Sequence, residues 1–179
     1  MTFRPGALAG YELLGKTVLA AAAATTAIVT IPARDMLLIQ YRVTGYSGAD
    51  IASFRFGGTA GAVDTAANYW NRSVTSVAGG VVLVNNQNVS ATLIRVAGLT
   101  STLQRTGCMT VNNLATVSKV CKIETQTSTG AAGTAGGMDW GGGEWVNTTQ
   151  QIVSVQMLDA GANNLNAGSG FAVFGMNLS

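Results

Sequence analysis

The stretch that decides the fold is Asp35–Thr44, "DMLLIQYRVT". Its apolar side chains fall at every second position: Leu37, Ile39, Tyr41 and Val43. Its polar side chains occupy positions between and after them: Gln40, Arg42 and Thr44. A period of two residues is that of a β-strand with one buried face. The stretch therefore predicts a half-buried strand with Gln40 and Arg42 pointing away from the core.

Segments of the same chemistry recur along the chain. Each is rich in β-branched, aliphatic or aromatic residues, and most are bounded by Gly, Asn or Ser: Thr17–Ile31, Ile51–Phe56, Val81–Val84, Ala91–Val96, Val117–Thr125, Ile152–Leu158 and Phe171–Met176. After residue 32, Gly or Asn interrupts nearly every window of helical length. Many short strands without crossover helices predict an all-β fold, an antiparallel β-sandwich or jelly roll, with a closed barrel as the alternative.

Two segments fall outside the strand pattern. Residues 1–15, "MTFRPGALAGYELLG", predict an extended N-terminal arm, and residues 16–179 then form a single sandwich domain of ordinary size. Thr125–Gly143 is rich in Gly, Thr and Ala and predicts a long loop. Because Trp140 lies in this loop and Trp145 beside it, we expect the loop to be ordered against the sandwich or against a partner chain.

The early apolar run imitates an export signal. "TVLAAAAATTAIVTIPARD" follows the basic residues Arg4 and Lys16. Glu12 precedes the run, however, and Ile28–Ile31 has the chemistry of a strand. The run is also too short and too rich in Thr to span a bilayer, which needs about 20 apolar residues. We expect a first strand or strand pair, and no membrane partner.

Composition argues against catalysis and against nucleic-acid binding. Only 10% of the residues are charged, the net charge is +2, and the cations are spread singly along the chain. The chain has no His, its eight carboxylates are scattered, and Cys108 and Cys121 lack metal-ligand spacing. We expect a non-enzymatic protein without metal or cofactor. The cysteines are expected to be reduced, half-buried thiols, with a disulfide as the alternative.

One motif suggests a nucleotide site. Gly10–Thr17, "GYELLGKT", fits the phosphate-loop pattern. The nine preceding residues cannot make a buried strand, and the loop interior carries Glu12 and bulky side chains where phosphate oxygens need close backbone approach. We therefore interpret Gly10 and Gly15 as hinges of the arm and Leu13 and Leu14 as its apolar anchors.

Both ends of the sandwich segment resemble a known class. "WVNTTQQIVSVQMLDAGANNLNAGSGFAVFGMN", Trp145–Asn177, and "IPARDMLLIQYRVTGYSGADIASFRF", Ile31–Phe56, are similar to the strand and turn patterns of small jelly-roll virion proteins of tailed bacteriophages. The resemblance implies a capsid decoration or cement protein, a homotrimer that binds the major capsid protein on the outer surface of the phage head. Such a protein is made in the cytoplasm of the host bacterium.

Candidate interface residues follow from this interpretation. The arm and the Trp-bearing loop are expected to contact the shell or sister subunits through apolar side chains: Phe3, Leu8, Tyr11, Leu13, Leu14, Trp140 and Trp145. The alternative function is a head- or tail-fibre component that binds host-surface glycans. In that case aromatic side chains would stack on sugar rings: Tyr69, Trp70, Trp140 and Trp145.

Overall fold

The computed structural model describes residues 10–76, 83–96, 103–128 and 136–178. These residues form twelve β-strands in two sheets. The strands are β1 (Glu12–Val18), β2 (Val29–Thr30), β3 (Met36–Val43), β4 (Ala52–Gly57), β5 (Tyr69–Ser76), β6 (Leu83–Ala91), β7 (Ile94–Arg95), β8 (Arg105–Asn112), β9 (Lys119–Thr127), β10 (Gly137–Trp145), β11 (Ser154–Asp159) and β12 (Gly170–Met176). Within the described ranges the chain contains no helix, and therefore none that could span a membrane.

The larger sheet has eight strands in the order β1-β12-β3-β8-β9-β10-β5-β6, and the smaller has four in the order β2-β11-β4-β7. Every strand pair is antiparallel. The chain passes repeatedly from one sheet to the other, as in jelly rolls. The predicted all-β class, an antiparallel β-sandwich, is confirmed.

The core lies between the two sheets and is held by aromatic contacts. Phe54 of the small sheet packs edge-on against Tyr41 and Phe171 of the large sheet, with ring centroids 5.5 Å apart in both pairs. Phe56 makes the equivalent contact with Trp145 at 6.5 Å. Because Phe54 and Phe56 are two positions apart on β4, both reach the same face.

The strand at Asp35–Thr44 behaves as its alternation predicts. On β3, Leu37, Ile39 and Val43 are fully buried, while Arg42 is exposed. β3 lies between β12 and β8 near the middle of the large sheet. Its outward side chains therefore face solvent from the centre of a broad sheet surface.

Three strands were missed by the sequence interpretation: β5, β8 and β10. The predicted loop Thr125–Gly143 is wrong for most of its described length, because β9 continues to Thr127 and β10 begins at Gly137. The ladder of β10 with both β9 and β5 overrides the low strand propensity of glycine. Residues 129–135 of that predicted loop lie outside the described residues.

The sheet extends into the segment predicted as an arm. β1 begins at Glu12 and pairs with β12 at the edge of the large sheet. Gly10–Thr17, the phosphate-loop match, thus lies mostly within an antiparallel edge strand. The parallel sheet and following helix that such a loop needs are absent from this part of the described chain.

Candidate functional site

The outward face of the large sheet carries the candidate site. Cross-strand pairing aligns side chains from four neighbouring strands in two adjacent rows. One row contains Gln40, Cys108, Glu124 and Trp140. The other contains Arg42, Thr106, Gln126 and Met138. Because neighbouring strands lie roughly 4.8 Å apart, each row spans about 14 Å from β3 to β10.

These rows border an open groove with a volume of about 400 Å³. Its floor is formed by the intervening residues of the same strands: Tyr41, Gly107, Thr125 and Asp139. On the inner side of this floor, the Tyr41 hydroxyl meets Thr125 Oγ1 and occupies the space where Gly107 has no side chain. Burial raises the pKa of Tyr41 well above its ordinary value. The floor of the groove is therefore backed by a buried contact between two neutral hydroxyl groups.

Trp140 is the apolar wall of the groove, and it differs from the other two tryptophans. The side chain of Trp140 is 41% exposed. Trp70 Nε1 donates to a Glu144 carboxylate oxygen, and Trp145 Nε1 donates to Asp64 Oδ2. Trp140 Nε1 has no hydrogen-bond partner among the described residues. Both the ring face and the N–H group of Trp140 are thus available to a ligand.

An ion pair lies beside Trp140 on the same face of the sheet. Lys122 Nζ forms an ion pair with Glu124 Oε1 at 2.7 Å, and Glu124 is the cross-strand partner of Trp140. Hydrogen bonding to Glu124 raises the pKa of Lys122. Both side chains are largely exposed, so the pair is screened by solvent and contributes little to stability. Its polar atoms can exchange partners with a bound ligand.

Cys108 lies at the centre of the groove. It is half-buried, and Cys121 is buried; both are free thiols. Burial and the neighbouring Glu124 raise the pKa of Cys108. Burial likewise raises the pKa of Cys121. Because the thiolate is the nucleophilic form, neither cysteine has the electrostatic surroundings of a reactive one.

The structure divides the four aromatic residues expected to stack on sugars. Tyr69 and Trp145 are each 1% exposed and stack on each other in the core, with ring centroids 6.4 Å apart. Their side chains are therefore not part of any surface, and for Trp145 this also places the predicted interface residue inside the sandwich. Trp70 is half-buried on the outward face and held by Glu144. Only Trp140 of the four borders the groove.

The arm residues lie at the sheet edge. Leu13 is 43% exposed, Tyr11 is half-buried, and Leu14 is partly buried against the core. They do not approach Trp140 in the sheet order, since β1 and β10 are separated by four strands. Phe3 and Leu8 lie outside the described residues. The predicted interface residues thus fall into separate groups rather than one surface.

Sequence reasoning missed most of the polar groove residues. The alternation on β3 identified Gln40 and Arg42 as outward-facing, but β8 was not recognised, so Thr106 and Cys108 had no assigned face. The signal that could have found them is the alternation of Met109 and Val111, both fully buried, with the residues between them. The register that aligns the four strands has no counterpart in the sequence of any one strand.

Comparison with known proteins assigns no family. No protein-family model matches the chain, and no curated protein matches it. Among solved structures, CG-16, a homodimeric agglutinin from chicken liver, is 11% identical with a TM-score of 0.35, covering 80% of this chain and 97% of that one. The enzymatically active domain of tailspike protein 2 from bacteriophage CBA120 is 10% identical with a TM-score of 0.32, covering 95% and 29%.

A third solved structure, congerin II with lactose and MES bound, is 15% identical with a TM-score of 0.29, covering 85% of this chain and 97% of that one. Scores this low carry no argument about the present chain. The class of protein is therefore the one that its own fold and site define: an antiparallel β-sandwich with an open groove on the outward face of its larger sheet.

Proposed function

We propose that this protein is a non-enzymatic virion component that acts by binding, and that it holds a host-surface glycan in the groove beside Trp140. The observation that carries the proposal is the exposed indole of Trp140, whose N–H group lacks a partner among the described residues. Aromatic faces stack on the C–H faces of sugar rings, while flanking polar groups fix the orientation of the ligand.

The surrounding side chains have the chemistry that a glycan needs. Gln40, Thr106 and Gln126 offer neutral donors and acceptors, and Arg42 and Glu124 add charged ones. All of them extend from strands in the middle of an eight-stranded sheet, so the backbone beneath them is fixed on both sides. A groove that spans about 14 Å accommodates a short oligosaccharide rather than one small molecule.

A glycan array tests this proposal. Wild-type protein is expected to bind one class of bacterial surface polysaccharide, and Trp140→Ala to weaken that binding at least about tenfold, which corresponds to about 1.4 kcal/mol. Trp140→Phe keeps a ring face but lacks the N–H group, so an intermediate loss is expected. Val120→Ser is the matched control, because Val120 is 54% exposed on β9 but does not line the groove. Equal binding by wild type and Trp140→Ala would argue against the site.

Capsid decoration is the second candidate function, and a separate feature favours it. β1 is an edge strand whose Leu13 and Val18 are 43% and 58% exposed. An edge strand presents unpaired backbone groups that can extend the sheet of another chain. A homotrimer on the outer surface of the phage head would bury this edge against the major capsid protein or a sister subunit.

Co-sedimentation with capsids that lack the protein tests decoration. Leu13→Asp combined with Val18→Asp is expected to abolish capsid binding and to leave the sandwich folded, while Trp140→Ala should bind capsids as wild type does. Light scattering of the purified protein tests the trimer. Retention of capsid binding by the double variant, or its loss in Trp140→Ala alone, would contradict the proposed use of the edge.

A further inference from the structure

Two buried carboxylates meet where the small sheet ends. Asp159 is the last residue of β11, and Asp50 lies just before β4. Asp159 is paired across the strands with Ala52, so the two acidic residues are brought together by the register of β11 with β4. Asp159 is 5% exposed and Asp50 is 8% exposed. Buried carboxylates in contact are uncommon unless something compensates their charge.

Three of the four carboxylate oxygens have donors. Asp50 Oδ1 accepts a hydrogen bond from Ile51 N at 2.8 Å, and Asp50 Oδ2 accepts one from Asn163 Nδ2 at 3.1 Å. Asp159 Oδ1 accepts one from Gly161 N at 2.8 Å. Asp159 Oδ2 is buried and accepts no hydrogen bond from any described residue. The cluster therefore contains one carboxylate oxygen that nothing in the described chain satisfies.

The surroundings of the pair include a positive charge. Arg95 lies close enough to Asp50 to act on its carboxylate. Two ionised carboxylates in contact repel each other, and a bound cation would offset that repulsion.

Tyr46 and Arg105 lie near Asp159. The Tyr46 hydroxyl accepts a hydrogen bond from Ala52 N at 3.0 Å, and burial raises the pKa of Tyr46 even though Arg105 acts to lower it. Arg105 lies over the Tyr46 ring at 5.7 Å. The segment that follows Asp159 is open to solvent at Gly161, Ala162 and Asn164. The loop that covers the pair is therefore in contact with solvent.

We propose that Asp50, Asp159 and Asn163 hold a hard divalent cation, Ca²⁺. Carboxylate and amide oxygens are the ligands that Ca²⁺ prefers, and water completes its six to eight positions. Asp159 Oδ2 supplies the unsatisfied oxygen, Asp50 Oδ2 the second carboxylate oxygen, and Asn163 turns its amide so that Oδ1 faces the ion. This inference is independent of the glycan and capsid proposals.

The ligand set also bounds the affinity. No group of three or more Asp, Glu, Cys or His side chains that could hold a metal occurs within the described residues. The site therefore offers the cation two formal negative charges. Sites of low ligand charge bind Ca²⁺ with a Kd of roughly 0.1 to 1 mM. Such a site is filled in calcium-containing extracellular media and is largely empty inside a bacterial cell.

Thermal unfolding of EDTA-treated protein tests the site. At pH 7.5, a hundredfold excess of CaCl2 over Kd is expected to raise Tm by about 5 to 10 °C in wild type, whereas NaCl of equal ionic strength should not. Asp159→Asn is expected to show no calcium-dependent rise, because the amide donates to Asp50 and removes the charge. Asp35→Asn is the matched control, since Asp35 lies outside the cluster and accepts from Leu178 N.

Calorimetric titration with CaCl2 gives a second measurement that does not depend on the Asp159 variant folding. Asn163→Ala, in the solvent-exposed loop, is expected to weaken binding severalfold. The proposal is overturned if wild type shows neither heat nor a Tm rise at about 10 mM CaCl2, or if Asp159→Asn keeps the full rise.

Discussion

The indole Nε1 of Trp145 donates a hydrogen bond to Asp64 Oδ2 over 2.8 Å, joining the end of β10 to the segment before β5. Asp64 Oδ2 also accepts from Asn68 Nδ2 at 2.9 Å, and Asp64 Oδ1 accepts from Ala66 N. The largest influence on Asp64, burial, acts to raise its pKa, but these hydrogen bonds outweigh it and the pKa is lowered. The Asp64 carboxylate thus connects the turn before β5 to the end of β10 through hydrogen bonds.

Asp64→Ala is expected to lower the free energy of unfolding by about 2 to 4 kcal/mol, because Trp145 Nε1 is left buried without an acceptor. Urea unfolding measures the loss.

The same carboxylate makes stability depend on pH. Since the folded pKa of Asp64 is lowered, its contribution to the free energy of unfolding is present above its ordinary pKa and is lost as pH falls through the lowered value. Asp64→Asn should remove this acid-dependent part. Glu12→Gln, which disrupts the exposed ion pair with Arg34, should change stability by less than about 1 kcal/mol.

The second prediction concerns Lys119, whose side chain is fully buried and has no carboxylate partner among the described residues. Lys119 Nζ donates to Val117 O and Asn147 O, both at 2.6 Å, and to Ala115 O at 3.4 Å. Lys119→Met keeps the aliphatic length but leaves these carbonyls without a donor. We expect a loss of about 2 to 3 kcal/mol in urea unfolding. Lys122→Met, on the same strand but largely exposed to solvent, should be near neutral; an equal loss in both variants would refute the argument.

The third prediction concerns Asn113. Its side chain is 0% exposed and clamps two segments: Nδ2 donates to Arg34 O at 2.8 Å and to Ile152 O at 3.2 Å, and Oδ1 accepts from Ile152 N at 2.6 Å. Asn113→Leu removes all three bonds and is expected to cost about 2 to 4 kcal/mol. Asn147→Ala is the control, since Asn147 caps an exposed turn through Thr149 N and Gln150 N and should cost about 1 kcal/mol.

Cys108 provides a chemical probe of the groove. Because burial and Glu124 raise the pKa of its thiol, maleimide labelling at pH 7 is expected to be slower than for a free thiol and to accelerate as pH rises. Glu124→Gln removes a negative charge and should increase the rate at constant pH. Labelling followed by mass spectrometry in a Cys121→Ser background isolates this thiol. A ligand bound in the groove should slow the reaction, and no slowing at saturating ligand would place the ligand elsewhere.

The sequence predicted the sandwich because alternation is a local signal. At β3 the apolar residues Leu37 and Ile39 repeat with period two, and no competing pattern obscures them. The sequence did not predict β10, because Gly141, Gly142 and Gly143 carry no side chains that could show the alternation. Packing explains the glycines: a Cβ at Gly143 would meet Trp70 O at 2.9 Å, and one at Gly141 would meet Arg72 O at 2.7 Å.

The candidate site was less predictable because it depends on register across four strands. Trp145 and Trp140 look alike in the sequence, yet five positions on one strand place them on opposite faces. Lys119 is buried against the ordinary preference of lysine for the surface, since loop carbonyls from both sides converge on it. Such convergence is a property of the folded chain and has no short-range pattern.

Gly142 gives the groove a capacity for change. It lies on the outward face two positions from Trp140, and a Cβ there would meet only Cys121 O, at 3.2 Å. A side chain gained at this position would alter the surface beside the tryptophan while the aromatic core on the other side of the strand stays as it is. If the groove binds a host polymer, single substitutions at Gly142 would change which polymer it binds while the fold stays the same. Such substitutions would let the protein adapt to hosts whose surface polymers vary.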